Sequence, residues 1–298
     1  MDKFKKITLD DREILAEYLN CRKHRACDYS VGNLVLWADV YNTHFAVAEN
    51  MLFIRFTAGG RINFAFPMGT GDLKSAFNWL FSYCREQNID FKMSLVEPDM
   101  FEDIEKIFPG RFEINYIRDS ADYIYRTEDL KNLSGKKYHS KKNHINQFVR
   151  ANPDWSYEKI SDENIQECIE MVKEWCLLNK CRDDKSKADE TCVLIKGLKN
   201  RKELGLIGGA VRAGGRIVAL TLGEKSGDDM FIIHFEKAFA DVPGAYPMIA
   251  HEFIAHELEG ITYVNREEDM GIEGLRKAKE SYFPAFMAEK GTLVEKTV

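Results

Sequence analysis

The chain has no run of about 18 apolar residues, so an ordinary membrane-spanning helix is excluded. Its first residues, Met1-Asp-Lys-Phe-Lys-Lys, lead into no apolar segment; no secretory signal is expected, and a cytoplasmic chain is. An excess of positive charge is also missing: 42 Lys and Arg face 48 Asp and Glu, a net charge of −6. That excludes a protein coated in nucleic acid by bulk electrostatics, and leaves room for a local basic site. No cysteine framework is visible. The seven cysteines, at 21, 27, 84, 168, 176, 181 and 192, are odd in number and read as reduced, buried thiols. Cys21, His24 and Cys27 could share a helix face, but a fourth ligand is missing and no metal is expected. His251-Glu252-Phe-Ile-Ala-His256 fails as a zinc helix, because histidines five apart point about 140° from each other. No Ser-His-Asp or Cys-His arrangement is evident, so a covalent intermediate is not suggested.

What is present is the content of an ordinary globular protein: 298 residues, 45% hydrophobic and 30% charged. That length suits two domains of roughly 150 residues each. Helical periodicity over 10–20 and 31–40 precedes three strand-like runs at 44–48, 51–57 and 61–66, joined by Glu49-Asn50 and Ala58-Gly59-Gly60. An amphipathic helix is predicted over 72–87, a strand over 91–96 and a helix over 99–108, with strands at 112–117 and 121–126. The second half follows a similar order. It has a strand at 155–160, helices at 164–178 and 187–204, a hairpin at 207–213 and 216–223, and a strand at 230–236. A helix at 247–258, a strand at 261–265, a helix at 272–283 and strands over 286–296 complete it. The halves share no residue-level identity; the repeat is one of architecture.

The stretch from Thr262 to Pro284 concentrates chemistry: a short strand, a charged loop and a helix that Pro284 closes. On a helical wheel Ile272, Leu275, Tyr282 and Phe283 fall in one arc with Lys279 at its middle. A lysine centred on an apolar stripe needs a polar or anionic partner, which Glu267-Glu268-Asp269 can supply. The plainer reading is a solvated loop with Asp269 capping the helix. A second concentration is the acid-free stretch between Asp129 and Asp154, which holds Lys131, Lys136, Lys137, Lys141, Lys142 and Arg150. It reads as an anion site, with Lys136, Lys137, Lys141 and Lys142 its residues. Surface lysines that lay their stems on apolar neighbours would read the same way.

The order helix pair, antiparallel meander, helix, strand, helix, strands resembles the Gcn5-related N-acetyltransferase (GNAT) fold. Two tandem copies resemble Fem-type aminoacyl transferases and the C-terminal domain of phosphatidylglycerol lysyltransferases. The residues that carry the resemblance are Leu133-Ser-Gly-Lys-Lys-Tyr-His-Ser-Lys-Lys-Asn-His-Ile-Asn-Gln-Phe148 and Tyr263-Val-Asn-Arg-Glu-Glu-Asp-Met-Gly-Ile-Glu-Gly-Leu-Arg-Lys-Ala-Lys-Glu-Ser-Tyr-Phe-Pro284. The resemblance implies an α+β fold of two acetyltransferase-like domains, 1–130 and 153–298, joined by a basic connector helix at 131–152.

In acetyltransferases the loop after the fourth strand cradles a pyrophosphate and needs glycines. Here Glu236-Lys-Ala-Phe-Ala-Asp-Val-Pro-Gly-Ala-Tyr246 has one, Gly244, so it departs from the acetyl-CoA pattern. Glu236 and Lys237 stand where the sheet of such a fold splays open, or else form an ion pair on the rim. By resemblance Lys279 takes the oxyanion position of the Fem-type helix lysine. Glu268 or Asp269 would orient or deprotonate the acceptor, and Arg276 could hold a carboxylate or phosphate. Asn265, Arg266, Glu267, Tyr282, Glu236, Lys237 and Tyr246 complete the expected substrate-binding set. The expected reaction moves an aminoacyl group, with aminoacyl-tRNA as donor, onto an amine or hydroxyl of a small molecule or peptide. An acyl-CoA N-acyltransferase with a degenerate loop and a binding module without chemistry are the alternatives. A closed homodimer is the default for such enzymes.

Overall fold

The structure, a computed structural model, describes residues 3–296. Its residues gather into two compact units. The first runs to Asp122 and adds Glu268–Arg276 and the segment from Met287 onward; the second holds Tyr123–Glu267 and Lys277–Phe286. The basic stretch 131–152 thus lies within the second unit.

The first unit opens with β1 (Lys5–Lys6), α1 (Arg12–Leu19) and α2 (Val31–Leu36), followed by β2 (His44–Ala48), β3 (Met51–Ala58), β4 (Arg61–Phe64) and β5 (Met68–Gly69). These strands form one antiparallel sheet in the order β1-β2-β3-β4, with β5 also on β3. Ser30 caps α2 by accepting from Asn33, and the helix ends at Leu36, short of the expected 40. Then come α3 (Leu73–Gln87), capped by Asp72, α4 (Pro98–Ile107) and β6 (Phe112–Tyr116). The run 91–96, expected as a strand, makes only single bridges from Met93 to Phe64 and from Val96 to Gly291. Leu95 sits at φ +64 and interrupts the extended chain. Phe77, Phe81, Phe91, Phe108 and Phe112 form the aromatic centre of this core, with ring centroids 4.8–6.3 Å apart.

The second unit is built on β7 (Asp122–Arg126), α5 (Thr127–Asn132), α6 (His139–Ala151), β8 (Ser156–Lys159), α7 (Ile165–Leu178) and α8 (Lys185–Lys199). It continues through β9 (Ile207–Ala213), β10 (Arg216–Ser226), β11 (Met230–Ala238), α9 (Ala245–Glu257), β12 (Tyr263–Asn265), α10 (Glu273–Glu280), β13 (Phe286–Ala288) and β14 (Gly291–Glu295). The last of these, β14, lies in the closing segment of the first unit, where it pairs with β6. The seven-stranded sheet runs β13-β7-β12-β11-β10-β9-β8, antiparallel except where β11 and β12 run parallel. Apolar residues alternate poorly in β10 and β11 because both faces are covered; nearly every residue of the two strands is buried. The architecture is mixed α+β, with mostly antiparallel sheets and flanking helices in both units.

One detail of the register places the site. The parallel pairing of β11 and β12 ends at Ile232 and Asn265, while β11 continues to Ala238. The sheet therefore opens beyond Asn265 on the β12 side of β11, which stays paired with β10 through Ala238 across a register shift at His234, and Glu236 projects toward Arg266 from one face. Strand alternation sends Lys237 to the other face.

Candidate active site

Glu236 meets Arg266, the first residue past β12. Arg266 Nη2 donates to Glu236 Oε1 at 2.9 Å, and the two side chains are only 12% and 14% exposed. Arg266 lies over the rings of Tyr282 (4.8 Å) and Tyr125 (5.9 Å). Burial alone would weaken the guanidinium charge; Glu236 overrides this and holds it raised. Glu236 Oε2 and Arg266 Nη1 are buried without a hydrogen-bond partner. One unsatisfied acceptor and one unsatisfied donor in a buried ion pair is costly, and both atoms call for a further partner, a water or a ligand.

Lys141 of α6 joins this group, its Nζ 4.1 Å from the Tyr282 ring centroid. Its pKa is lowered by burial first and by the Arg266 charge second, with Glu236 opposing. The Tyr282 phenol is pushed up to about 12, mainly by burial. Its backbone carbonyl accepts from the buried Tyr138 hydroxyl at 3.1 Å.

Lys279 also belongs to the second unit. Its ammonium donates to the Arg266 carbonyl at 2.7 Å and stands 5.7 Å from the Tyr123 ring centroid. Tyr125 Oη donates to the Lys279 carbonyl at 2.8 Å, fixing the helix end. The expected apolar stripe around Lys279 does not form. Helix α10 buries none of its residues, Ile272 is 55% and Phe283 43% exposed, and only Tyr282 is buried. The helix stops at Glu280, and Phe283 turns off at φ +54, out of the wheel that placed it. Lys279 is half-buried by a carbonyl and an aromatic ring instead.

The remaining expected residues divide between groups. Asn265 is fully buried and its Oδ1 accepts from the Glu267 amide at 2.6 Å. Glu267 Oε1 accepts from His234 Nδ1 at 2.8 Å, and His234 Nε2 donates to Glu224 Oε1 at 2.8 Å. Burial opposes charge on His234, yet the two carboxylates raise its pKa to about 10, so it is an imidazolium clamp. Lys237, on the opposite face, pairs with Glu190 at 2.7 Å and covers Trp175 at 4.1 Å; the adjacent Glu236 and Lys237 thus serve different partners. Tyr246 stands in the first turn of α9, its phenol raised chiefly by burial. Lys136, Lys137 and Lys142 are exposed; Lys137 lies 3.9 Å from Asp129 and covers the rings of Tyr138 and Phe283.

Within the first unit, Glu268 Oε2 lies 3.5 Å from Lys290 Nζ and 3.8 Å from Cys27 Sγ. Lys290 is 3% exposed and also binds Asp28 (2.7 Å) and Asp122 (2.8 Å). Cys27, Asp122 and Glu268 are close enough to hold a metal, but the Lys290 ammonium already supplies the cation there. Asp269, fully buried, accepts from Arg118, from Arg276 twice and from the Gly271 amide. A carboxylate holding four donors is a poor base. Arg276 divides itself between Asp269 and Asp119.

His234, Glu224, Tyr125, Tyr123 and Tyr138 were not anticipated. The signal for the first two was a lone histidine and a lone glutamate inside the apolar strands FIIHFEKA and TLGEKS.

Comparison with known proteins agrees with this architecture. A conserved protein of unknown function from Bacteroides thetaiotaomicron is 41% identical, with a TM-score of 0.93 over 99% of this chain and 100% of that one. L-PGS from Bacillus licheniformis, 14% identical, shares the fold with a TM-score of 0.64 over 97% of this chain and 92% of that one. An uncharacterised protein of Mycoplasmoides gallisepticum is 23% identical over 187 residues, 61% of this chain; the chain spans 58% of that relative's length. Among the described residues no helix is long and apolar enough to cross a membrane. The family model for the phosphatidylglycerol lysyltransferase C-terminal domain matches residues 20–290, and the chain, acyltransferase-like in fold, belongs to that family.

Proposed function

We propose that the protein transfers an aminoacyl group from an ester donor, the aminoacyl-tRNA class, to an amine or hydroxyl of a small acceptor. The observation that carries the reading is the buried Glu236–Arg266 pair, with one acceptor atom and one donor atom unsatisfied. An aminoacyl ester offers the complement of both: an α-ammonium for Glu236 Oε2 and a carbonyl oxygen for Arg266 Nη1. The acceptor nitrogen or oxygen attacks the ester carbonyl carbon and an oxyanion forms. The C–O bond to the donor breaks, and the acceptor's proton leaves with the donor hydroxyl. In this reading Lys279 serves the oxyanion; an ammonium has three donors and can serve the Arg266 carbonyl and a developing negative charge together. Lys141 adds cationic charge beside Tyr282, suited to the donor's phosphodiester end.

Gly244 supports an ester donor over acyl-CoA. It sits at φ +84 at the start of α9, and a Cβ there would collide with the His144 carbonyl oxygen and touch Phe148. The loop's one glycine therefore serves the packing of α9 on α6, not a close approach to a pyrophosphate.

The test is a thermal-shift titration with aminoacyl-tRNA and, separately, acetyl-CoA, followed by transfer assays. Stabilisation by the aminoacyl-tRNA and transfer of label to an amine are expected, with Lys279→Ala lowering kcat about 100-fold. Stabilisation by micromolar acetyl-CoA, with none by aminoacyl-tRNA, would replace this reading with acyl-CoA transfer.

A further inference from the structure

Helix α7 ends on Trp175-Cys176-Leu177-Leu178, and the chain then reverses. The Asn179 amide donates to the Trp175 carbonyl at 3.0 Å and the Lys180 amide to the Leu177 carbonyl at 3.2 Å, and Lys180 takes φ +53. That left-handed residue closes the helix end and brings Cys181 back toward it. The Cys181 thiol, 2% exposed, is a hydrogen-bond neighbour of the Cys176 thiol. Thr191 of α8 fixes it further. Thr191 Oγ1 donates to the Lys187 carbonyl at 2.8 Å, which leaves its lone pairs to accept from Cys181 Sγ at 3.7 Å. Cys176 is half-buried, and both cysteines line one cleft of about 450 Å³ at the α7–α8 junction. Other cysteines are placed differently. Cys84 and Cys168 are buried, and burial pushes their thiols up to about 11 and about 12. Cys21 is exposed, and its thiol donates to the Glu17 carbonyl at 3.3 Å.

We infer that Cys176 and Cys181 form an oxidisable dithiol that hydrogen peroxide converts to an intrachain disulfide. The two sulfurs divide the work by access. Cys176 faces the cleft and attacks the peroxide. Cys181 resolves, since burial raises its thiol and withholds it from solvent. The Cys176 sulfur takes one peroxide oxygen, the O–O bond breaks, and Cys176 becomes a sulfenic acid as one water leaves. The Cys181 sulfur then attacks the Cys176 sulfur. The S–O bond breaks, a second water leaves with the Cys181 proton, and the S–S bond forms. Two thiols have then lost two electrons and two protons, and one peroxide has become two waters. Only the residues 177–180 lie between the pair. So short a loop constrains the unfolded chain little, which suits a reversible bond more than a structural one.

The inference does not rest on the proposed reaction, since neither cysteine belongs to the Glu236–Arg266 group. The test treats the full reduced chain with equimolar hydrogen peroxide, blocks free thiols with iodoacetamide and maps tryptic peptides without reduction. Lys180 lies between the two cysteines, so trypsin separates them unless a disulfide joins the pieces. A linked species of 174–180 with 181–182 is expected, about 2 Da lighter than its reduced parts together and abolished by dithiothreitol. Cys181→Ser should halt at a sulfenic acid on Cys176, trapped by dimedone. Cys176→Ser should slow oxidation of Cys181 at least about tenfold. Cys192→Ser, on the exposed face of α8, should leave the link unchanged. The parent result needs no variant, so a folding defect at buried Cys181 leaves the test standing. Linkage of either residue to Cys192, linkage only between chains, sulfinic acid at Cys176 with no disulfide, or two unreacted thiols would each overturn the assignment.

Discussion

At the scale of single residues, the buried ion pair is the feature with the largest expected energetic signature. Removing one partner, as in Arg266→Ala, leaves the Glu236 charge enclosed and uncompensated, and should cost about 3–5 kcal/mol in urea unfolding. The double change Arg266→Met/Glu236→Leu should recover most of that loss, because it removes the stranded charge, while abolishing transfer. If the double variant were as unstable as the single one, the pair would not be the cause. His234 carries a pH signature of definite sign. Its folded pKa, about 10, lies above the ordinary value of 6.5, so its stabilising contribution is whole below pH 6.5 and is lost as pH rises through about 10. His234→Gln should flatten that alkaline slope. Glu97 is the acidic counterpart in the first unit. Burial raises it to about 7, although the amides of Ala26 and Arg25 donate to it. The folded state then binds more protons than the unfolded between about 4.5 and 7, so stability should fall as pH rises across that window. Glu97→Gln should remove that part of the pH dependence; an unchanged profile would show that Glu97 is not its source.

At the scale of elements, the helix termini explain where pattern reading succeeded and where it slipped. Ser30 and Asp72 are caps that a sequence displays, and α2 and α3 begin after them. The C-terminal ends were harder. Helix α8 stops at Lys199, not near 204, and α10 stops at Glu280, not at Phe283. In each case the apolar residues past the end leave the helical path in a turn, so a 100° wheel assigns them the wrong direction. The wheel around Lys279 was wrong for Phe283, which lies past the helix end, and for Ile272, which precedes its first residue, and the lysine's real neighbours are the Arg266 carbonyl, just past β12, and Tyr123 of β7. The junction of α6 and α9 offers a direct test. Gly244→Ala combines φ +84 with a collision at the His144 carbonyl, and should destabilise by roughly 1–3 kcal/mol, read as a lower urea midpoint with unchanged slope.

At the scale of the whole molecule, charge is unevenly divided. The chain is net negative, yet the 24 positions between Asp129 and Asp154 contain no acid, and most of α6 faces solvent with lysine, histidine, amide and arginine side chains. If this face meets the phosphodiester backbone of the donor, Lys136→Glu/Lys142→Glu should weaken tRNA binding several-fold. The slope of log K against log salt should become shallower by roughly 1–2. Filter binding across a salt series measures both. An unaltered slope would make these lysines ordinary solvated surface.

Much of this was present in the order of residues. Strand and helix periodicity dictated the meander of the first unit, the hairpin β9–β10 and the helices α3, α7 and α9, because local hydrophobic spacing follows directly from the geometry of each element. The sequence alone also singled out Glu236, Arg266, Lys141, Tyr282 and Lys279 as chemically unusual. It did not say which of them meet. The end of the β11–β12 pairing at Asn265, strand alternation at Glu236 and Lys237, and the turn after Glu280 decided that Glu236 binds Arg266, that Lys237 binds Glu190 and that Asp269 is saturated by arginines. Those are long-range pairings, set by the closing of a sheet and the packing of its faces, and no local pattern along a chain encodes them.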